Sequence, residues 1–519
     1  MHPIHRCATC DLVSRAAACP RCGRVLVDHG PRGLDRRGLV SLLTDLVRVD
    51  WGEHGRLLRA LVRWTVIGSV VGILAGASSA VFLYGLQVVT DARLASPGLR
   101  YLLPVGGLLM GLAYHHLGGR SAGGNNLVLE EVHGLGDAID GPTAPTGEAG
   151  EPAPTGKTGE TAPAGEPQER RVPTRLAPLV LIGTWVTHLF GGSAGREGTA
   201  IQMSASLADR FGWLIRLRGE DRRLLLIAAI SGGFAAVFGV PMAGTVFGLE
   251  VRSVGRIRYD ALVPALSASL VGHATVGMIG LPHDITPAVT LPETALSLPL
   301  VGAIAIAGVA FAATALLFSE LTDGLKRLLR VLVPYPPVRP AIGGLAIIGL
   351  TAAAGTDDYL GLSLPLIGDA LGGAEVVGYA FALKLLFTAV TLAAGFQGGE
   401  VTPLFVIGAT LGAALAGPLG VDQALLAAVG FVAVFAAATN TPLACTIMGV
   451  ELFGAGAFPY LLLGCVVAYV LSGHRGIYLA QRIDSGKDPD RDAHLSGEVL
   501  RDLDATRPSW LQRRRRSTG

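Results

Sequence analysis

The apolar residues of this chain are gathered into stretches that glycine clusters and prolines interrupt. These stretches lie near residues 60–88, 101–117, 176–192, 199–211, 224–250, 261–280, 298–319, 340–354, 378–395, 403–417, 421–439, 441–454 and 458–472. Many are shorter than the ~20 residues that a straight transmembrane helix needs. Irregular backbone at membrane depth is tolerated only where protein buries it or where it lines a cavity. The pattern therefore predicts an all-α integral membrane protein whose helices are partly broken.

The composition supports this class. Only 16% of the 519 residues are charged and 50% are hydrophobic, whereas soluble proteins average about 25% charged residues. The 71 glycines are typical of helices that pack closely through small residues. A net charge of +2 gives no reason to expect nucleic-acid binding. No Walker-type phosphate loop is present in the sequence, so we do not expect an ATP-driven pump. We expect a transport protein and not an enzyme.

The charged residues are confined mainly to three polar blocks, at about 1–59, 137–175 and 482–519. Arg56, Arg59 and Arg63 precede the first apolar stretch, and four arginines at 513–516 follow the last. Because Lys and Arg near membrane segments favour the cytoplasmic side, we expect a multi-pass protein of the cell membrane with both termini cytoplasmic. The arginine run is either a solvated tail or a contact for anionic lipid headgroups. The Pro-, Gly- and Thr-rich segment 141–170 is predicted to be a disordered cytosolic insertion.

Four cysteines near the start of the chain have the spacing of a metal site. Cys7, Cys10, Cys19 and Cys22 form a C-x2-C-x8-C-x2-C pattern, which is typical of structural zinc held by four thiolates. We therefore predict a zinc-ribbon-like module over residues 1–30 that folds only with its metal. Redox sensing and free thiols are the alternatives. An amphipathic cytosolic segment, 31–59, would follow it, and 484–519 would form a polar cytosolic tail.

An internal repeat is visible in the apolar part of the chain. Residues 234–250 and 435–451 align without a gap and match at 8 of 17 positions, including a proline and the final glutamate. A Gly-rich break that carries a glutamate lies upstream of each segment, at 192–199 and at 395–403. Paired breaks in corresponding halves are typical of transporter binding sites. Glu250 and Glu451, which end the matched segments, are expected to be structural caps or contacts between repeats.

Each break would direct the N-terminus of a helix, with its unpaired N–H groups, towards the membrane midplane, which makes an anion site from backbone. Glu197 lies in the first break, and an ionisable residue at this depth is functional by default. Its carboxylate can compete with a transported anion when ionised and leave the site when protonated. The alternative is a structural ion pair with Arg196. Glu400, in the second break, either relays protons or bonds Thr402.

These motifs resemble those of the CLC family of chloride channels and anion/proton exchangers, over about residues 60–483 apart from the insertion. Gly195-Arg196-Glu197-Gly198 matches the Gly-Arg-Glu-Gly-Pro motif of that family, whose glutamate is its gate. Gly399-Glu400-Val401-Thr402-Pro403 falls at its Gly-Xaa-Phe-Xaa-Pro motif, and Tyr478 at the tyrosine that faces the central anion. The resemblance implies a homodimer with one pore per subunit. It also implies an inverted-repeat bundle of long, tilted and broken helices, with repeats at about 60–280 and 296–483.

Several departures from the chloride-type pattern are similar to the bacterial fluoride-exporting branch of the family. Thr199 replaces the motif proline, Val401 replaces the phenylalanine, and Gly124-Asn125-Asn126 stands in the region of the Gly-Ser-Gly-Ile-Pro-Glu motif. Val251 occupies the position of a second, proton-relaying glutamate, and Val406 stands where we expect an aromatic residue in this branch. The resemblance implies exchange of fluoride for protons and resistance to fluoride.

The predicted site therefore has Glu197 as a proton-coupled gate and Glu400 as a possible proton relay. Fluoride holds its hydration shell tightly, so its site must supply strong, close donors. The predicted anion-binding residues are Gly124, Asn125, Asn126, Gly195, Arg196, Gly198, Thr199, Val401, Thr402, Phe405 and Tyr478. The predicted function is fluoride export in exchange for protons, without a cofactor for transport and in contact with membrane lipid. The alternative is a chloride-conducting channel or a chloride/proton exchanger.

Overall fold

The computed structural model describes residues 5–6, 13–14, 51–137, 171–281, 289, 291, 294–488 and 490–506. The chain divides into two units, Met1–Val62 and Arg63–Gly519. In the first unit, strand β1 (His5–Arg6) pairs antiparallel with β2 (Val13–Ser14). The predicted zinc ligands Cys7, Cys10, Cys19 and Cys22 lie outside the described residues, as do the insertion at 141–170 and the terminal arginine run.

Most of the described chain is α-helical. The helices are α1 (Trp51–Ala95), α2 (Leu103–Ala113), α3 (Gly124–Asp137), α4 (Leu176–Leu189), α5 (Glu197–Leu214), α6 (Gly219–Phe238), α7 (Pro241–Glu250), α8 (Leu262–Ile279), α9 (Leu298–Leu332), α10 (Arg339–Ala354), α11 (Leu364–Leu371), α12 (Ala380–Ala394), α13 (Val401–Leu419), α14 (Gln423–Thr439), α15 (Pro442–Phe453), α16 (Phe458–Leu471) and α17 (Leu500–Thr506). Short 3-10 turns lie at Pro97–Leu102, Gly119–Gly123, Tyr259–Ala261, Pro336–Val338, Ala455–Ala457 and Ala493–Leu495, and a π turn at Tyr114–Gly118.

The helices differ widely in length, which confirms the prediction of a bundle with long and broken helices. Helix α1 has 45 residues, whereas α7 has 10 and α11 has 8. Within the described ranges, five helices are long and apolar enough to cross a membrane. Helix α1 begins at Trp51, earlier than the predicted boundary at residue 60. The reason is that Arg, Leu and Ala of residues 56–60 favour helix and extend the apolar segment into the polar block.

Two sets of four helices recur in the same order along the chain. Helices α5–α8 correspond to α13–α16, and the shortest member of each set, α7 and α15, is the segment that carries the sequence match. The carboxylate of Glu250, at the end of α7, accepts hydrogen bonds from Leu443 N (3.2 Å) and Ala444 N (2.8 Å) at the start of α15. Glu451 of α15 returns the same contact to Met242 N (2.8 Å) and Ala243 N (2.7 Å). Both glutamates therefore cap a helix of the other repeat, as predicted, and α7 and α15 run antiparallel.

Helices α6 and α14 form the centre of the bundle. Almost every side chain of these two helices is buried on all sides, which is typical of a helix inside a large protein. Phe234 stacks on Phe247 at 4.2 Å between ring centroids and lies 6.1 Å from Phe435 of the other repeat. Glycine allows backbone contact here: a Cβ at Gly408 would lie 2.1 Å from Gly430 O. Cys445 and Cys465 are buried, as expected of core residues.

A short parallel pairing holds the segment that follows α16. Strand β3 (Ser253–Val254) pairs with β4 (Arg482–Ile483), and Val254, Ile483 and Leu500 form a small core beside them. The Gln481 amide donates to Val251 O (2.7 Å) and to Thr439 O (2.8 Å). These bonds fix the position of Tyr478, which lies three residues before Gln481, relative to the ends of α7 and α14.

Candidate anion pathway

The two Gly-rich breaks lie against each other. Gly195 N donates to Gly399 O (2.7 Å) and Gly399 N donates to Gly195 O (2.9 Å), which is an isolated antiparallel bridge. Helix α5 begins two residues after the first glycine of this bridge, and α13 begins two residues after the second. The N-termini of two helices, one from each repeat, therefore meet at the bridge. Their first N–H groups give this point a positive potential.

The carboxylate of Glu197 lies at this meeting point and is fully buried. Its Oε1 accepts from Val401 N at 2.6 Å. Its Oε2 accepts from Arg196 N (2.8 Å), from Thr402 N (3.3 Å) and from the hydroxyl of Thr402 (2.9 Å). A residue of the first repeat thus occupies the helix N-terminus of the second, where an anion is expected to bind.

Glycines of both breaks leave room for this carboxylate. A Cβ at Gly399 would lie only 1.8 Å from Glu197 Oε1, and one at Gly195 would lie 2.6 Å from Oε2. Gly398 also has a φ of 151°, which L-residues rarely adopt. Gly195 and Gly399 are therefore required by close approach, and Gly398 by its backbone conformation.

Arg196, Phe405 and Thr199 of the predicted set make contacts of different kinds. Arg196 gives Glu197 its backbone N–H, while its guanidinium lies over the ring of Phe238, 5.9 Å from the ring centroid. Phe405 is buried and stacks on Phe431 at 4.0 Å between centroids. The hydroxyl of Thr199 is bonded to that of Thr184 at 2.6 Å. Of the predicted residues, Arg196, Val401 and Thr402 therefore contact the carboxylate directly, whereas Phe405 packs on Phe431 and Thr199 bonds Thr184.

The asparagine pair and Tyr478 lie on another side of the break. Asn125 and Tyr478 line one small cavity together with Val128, Leu129, Ile201, Ile230, Phe247 and Val251. The Tyr478 side chain is buried, and its hydroxyl has no hydrogen-bond partner among the described residues. Asn126 Oδ1 accepts from Ala480 N at 3.1 Å. Polar donors that face an otherwise apolar cavity are typical of a binding site for a small polar ligand.

Glu400 is half-buried and immediately precedes α13. The Thr402 hydroxyl donates to Glu197, which disfavours the alternative in which Glu400 bonds Thr402. The charges that act on Glu400 are those of Glu197, Lys326 and Asp323. Asp323 also lines a cleft with Glu320, Arg327, His474 and Arg475. Glu400 therefore feels both the charge of the buried carboxylate and the charge of Asp323, which lines the cleft.

Sequence reasoning did not identify two polar residues beside the site. Lys384 of α12 is fully buried, and its ammonium donates to Ser193 Oγ in the first break at 2.9 Å. Gln202, one turn beyond Glu197 on α5, donates its amide to Asn125 Oδ1 at 3.2 Å. The signal for Lys384 was present in the sequence, because it is a single cation within the apolar stretch 378–395. Gln202 gave no comparable signal, since polar residues are common near helix starts.

Comparison with known proteins places this geometry in a family. The profile of the voltage gated chloride channel family matches residues 151–473. The chain is also 42% identical over 441 residues to a chloride/fluoride channel protein of Pseudomonas syringae pv. tomato, which covers 84% of this chain and 90% of that protein. The chain belongs to the CLC family. It is therefore a membrane protein of a family of anion transporters and channels, as the motifs predicted.

Solved CLC structures share the fold. The crystal structure of a CLC-type fluoride/proton antiporter superposes with a TM-score of 0.72 at 33% identity, over 82% of this chain and 98% of that one. A slow cyanobacterial Cl-/H+ antiporter superposes with a TM-score of 0.62 at 18% identity, over 86% of this chain and 96% of that one. The second likeness concerns the fold alone. The prediction of an all-α, CLC-like membrane bundle is confirmed.

Proposed function

We propose that this CLC protein exports fluoride across the cell membrane in exchange for protons and so confers resistance to fluoride. The observation that carries the proposal is the position of the Glu197 carboxylate on the N–H groups of Val401 and Thr402. These are the donors that a helix N-terminus offers to an anion. The carboxylate and a transported anion would therefore compete for the same donors.

Competition of this kind couples the two ions. An ionised Glu197 is retained by the positive potential of the helix N-terminus and excludes a second anion. Protonation removes its charge and weakens its hold on Val401 N, so that an anion displaces it. The anion leaves again when the side chain loses its proton to the opposite side. Protonation and anion binding are thus linked, which is the requirement for exchange.

Glu400 is the residue that we propose as the proton relay. The charges of Glu197, Asp323 and Lys326 all act on it, and the cleft that Asp323 shares with Glu320 and His474 supplies acidic and basic groups. Protons would pass from this cleft to Glu400 and then to Glu197. The anion would instead pass the Asn125 and Tyr478 cavity, so the two ions approach Glu197 by different routes.

Fluoride is proposed as the anion for two reasons. The relative with 42% identity is named a chloride/fluoride channel protein, and the solved neighbour with 33% identity is a fluoride/proton antiporter. The residues around the break also offer amides and hydroxyls, among them Asn125, Asn126 and Tyr478, and strong donors are what a small anion with a tightly held hydration shell requires. We further propose both termini to be cytoplasmic, the functional unit to be a homodimer, and the four N-terminal cysteines to bind zinc.

Transport by the purified protein in liposomes tests the proposal. Vesicles loaded with fluoride or chloride are diluted into buffer without that anion, and the efflux is recorded with ion-selective electrodes together with the external pH. We expect fluoride efflux to be accompanied by proton uptake, and chloride efflux to be at least about tenfold slower. Fluoride efflux without proton movement would contradict exchange, and equal chloride efflux would contradict selectivity.

The variant Glu197→Gln tests whether Glu197 is the proton-coupled gate. The amide keeps the size of the side chain but carries no titratable proton, so proton movement coupled to the anion should vanish. The matched control is Glu375→Gln, which changes an exposed glutamate outside the site and should transport as the unchanged protein does. Coupling that survives in Glu197→Gln would assign the proton-coupled gate to another residue.

A further inference from the structure

A primary amide in an anion pathway can either help or oppose the anion. Its NH2 group donates hydrogen bonds and attracts an anion, whereas its oxygen is an acceptor and repels one. The two ends are nearly equal in size, so packing alone does not choose between them. The neighbours of Asn125 and Asn126 must therefore decide which end faces the pathway.

The Gln202 amide fixes the orientation of the Asn125 side chain. Gln202 is 5% exposed, and its Nε2 donates to Asn125 Oδ1 at 3.2 Å. With its oxygen engaged, Asn125 turns its NH2 group the other way. That group faces Gly198, the residue after the gate, since a Cβ at position 198 would lie 2.9 Å from Asn125 Nδ2. The Asn125 donors are thus directed to the backbone beside Glu197.

Asn126 is oriented by the same principle but by a different donor. Its Oδ1 accepts from the backbone N–H of Ala480 at 3.1 Å, two residues beyond Tyr478. Both neighbouring amides therefore have their oxygen atoms occupied by donors from other segments. Asn126 is held by backbone, which side-chain substitution does not remove. Asn125 is held by a side chain, which makes its orientation testable.

We propose that Gln202 is the positioning residue that fixes the polarity of Asn125 in the anion pathway and thereby sets the affinity for the transported anion. The inference rests on the proposed function, because it requires an anion to pass Asn125. Gln202 lies on the same face of α5 as Gly198, one turn earlier, and it follows Ile201, which lines the cavity with Asn125 and Tyr478. It does not need to touch the anion to act.

The size of the effect depends on the anion. Hydrogen bonds to a charged group contribute about 1.5–3 kcal/mol, so loss of one oriented donor corresponds to a loss in affinity of about tenfold to a hundredfold. Fluoride, the smaller and more basic anion, depends more on such donors than chloride does. Loss of the Gln202 contact should therefore weaken fluoride transport more than chloride transport and lower the fluoride-to-chloride ratio.

The test is a double-mutant cycle on liposome transport. Gln202→Met keeps the length of the side chain but removes its donor, and Asn125→Ala removes the amide that Gln202 orients. We expect each single variant to raise the apparent KM for fluoride by about tenfold, with a smaller change in maximal rate. The two effects should not add: Gln202→Met in the Asn125→Ala background should cause no further change. Additive effects, or an unchanged KM in Gln202→Met, would overturn the proposal.

A second variant covers the possibility that Gln202→Met assembles poorly. Gln202→Glu has the same shape but presents only acceptors when ionised, so Asn125 would rotate and direct its oxygen to the pathway. Its effect on fluoride KM should be larger with Asn125 present than in Asn125→Ala. Equal effects in the two backgrounds would show direct repulsion by the new carboxylate and would contradict the proposed role.

The control for α5 is Ser204→Ala. The Ser204 hydroxyl donates to Ala229 O at 2.8 Å on the side that faces α6, so its loss should leave KM and the anion ratio unchanged.

The outcomes also separate this inference from the proposed function. If the unchanged protein exchanges fluoride for protons while the Gln202 variants behave normally, only the role of Gln202 fails. If it moves no fluoride, the proposed function fails.

Discussion

At the scale of single residues, two buried charged side chains at the first break, Glu197 and Lys384, are held by specific partners rather than by solvent. The Glu197 carboxylate has three backbone N–H groups and one hydroxyl around it. The Lys384 ammonium is held by the hydroxyls of Ser193 and Ser363 and by the carbonyl oxygens of Tyr359 and Gly361. Burying a charge costs free energy unless such partners replace water. Each of these residues therefore stabilises the loops that surround it.

Lys384→Met should reduce stability and loosen the first break. The variant leaves two hydroxyls and two carbonyl oxygens buried without their donor, and an unsatisfied buried group costs about 1–3 kcal/mol. We expect the free energy of unfolding to fall by at least about 2 kcal/mol, measured by thermal unfolding in detergent. The control is Lys326→Met, whose side chain is 44% exposed and whose loss should cost under about 0.5 kcal/mol. Equal losses in the two variants would contradict the structural role of Lys384.

At the scale of helices, the N-termini of four helices bind the glutamates that lie at the breaks and at the ends of the matched segments. The N-termini of α5 and α13 meet at the Gly195–Gly399 bridge, where their free N–H groups receive Glu197. The N-termini of α7 and α15 are instead closed by Glu451 and Glu250. The same physical feature, a helix N-terminus with unpaired donors, thus receives the carboxylate of Glu197 in one place and forms a joint between the repeats in the other.

The reciprocal caps should contribute measurably to stability. Glu250→Ala leaves Leu443 N and Ala444 N without their acceptor, and a lost N-cap costs about 0.5–2 kcal/mol. Glu250→Gln keeps one acceptor oxygen and should cost less. Chemical denaturation of the purified protein measures both, with the exposed Glu375→Ala as control. If Glu250→Ala unfolds at the same denaturant concentration as the control, the cap does not join the repeats energetically.

The stability of the protein should depend on pH through Lys487, which lies in the segment after α16. Burial lowers the pKa of the Lys487 ammonium to about 7, while its Nζ donates to Asn440 Oδ1 (2.7 Å) and Tyr469 O (2.6 Å). Between pH 7 and about 10 the unfolded chain holds a proton that the folded chain has lost, so the stability should rise with pH in this window. Below pH 7 both states are protonated and this contribution stays constant.

Thermal unfolding at several pH values between 7 and 9.5 measures this rise. Lys487→Met carries no proton, so its stability should increase less steeply with pH than that of the unchanged protein. The comparison concerns the two slopes, because the substitution also changes the packing against Tyr469, whose ring centroid lies 3.9 Å from the ammonium. Identical slopes would contradict a lowered pKa.

At the scale of the whole molecule, the repeat explains why one site draws on distant parts of the chain. The carboxylate of Glu197 is bound by Val401 and Thr402, more than 200 residues later. Packing of the two repeats brings the breaks together, and the central helices α6 and α14 supply the rigid core that keeps them there. The arrangement of donors around Glu197 therefore depends on the packing of the two repeats against each other.

The N-terminal cysteines give a prediction for the full chain. If Cys7, Cys10, Cys19 and Cys22 bind zinc, the purified protein should contain about one zinc ion per chain by elemental analysis. Cys7→Ser combined with Cys10→Ser removes two thiolates and should reduce the zinc content to background. Cys445→Ser changes a buried core cysteine instead and should retain the metal. Zinc that persists in the double variant would contradict the four-cysteine site.

The helical breaks and the repeated segments could be predicted because their signals are local. The Gly-rich breaks, the prolines that begin α7 and α15, and the repeated segments ending in Glu250 and Glu451 can all be recognised along the chain. The position of Glu197, an ionisable residue within the first break, could also be recognised from the sequence. The start of α1 was not predicted correctly, because helix-favouring residues extend the helix beyond the apolar stretch to Trp51.

The sequence by itself therefore determined a membrane-embedded helical repeat with an acidic residue at each of two breaks, since hydrophobicity and helix termination depend on neighbouring residues. Only the tertiary structure decided that Thr402 bonds Glu197 rather than Glu400, that Lys384 supports the first break, and that Gln202 orients Asn125. These choices depend on which donors and acceptors meet across the repeat interface. A hydrogen bond acts over about 3 Å, and no spacing along the chain specifies that distance.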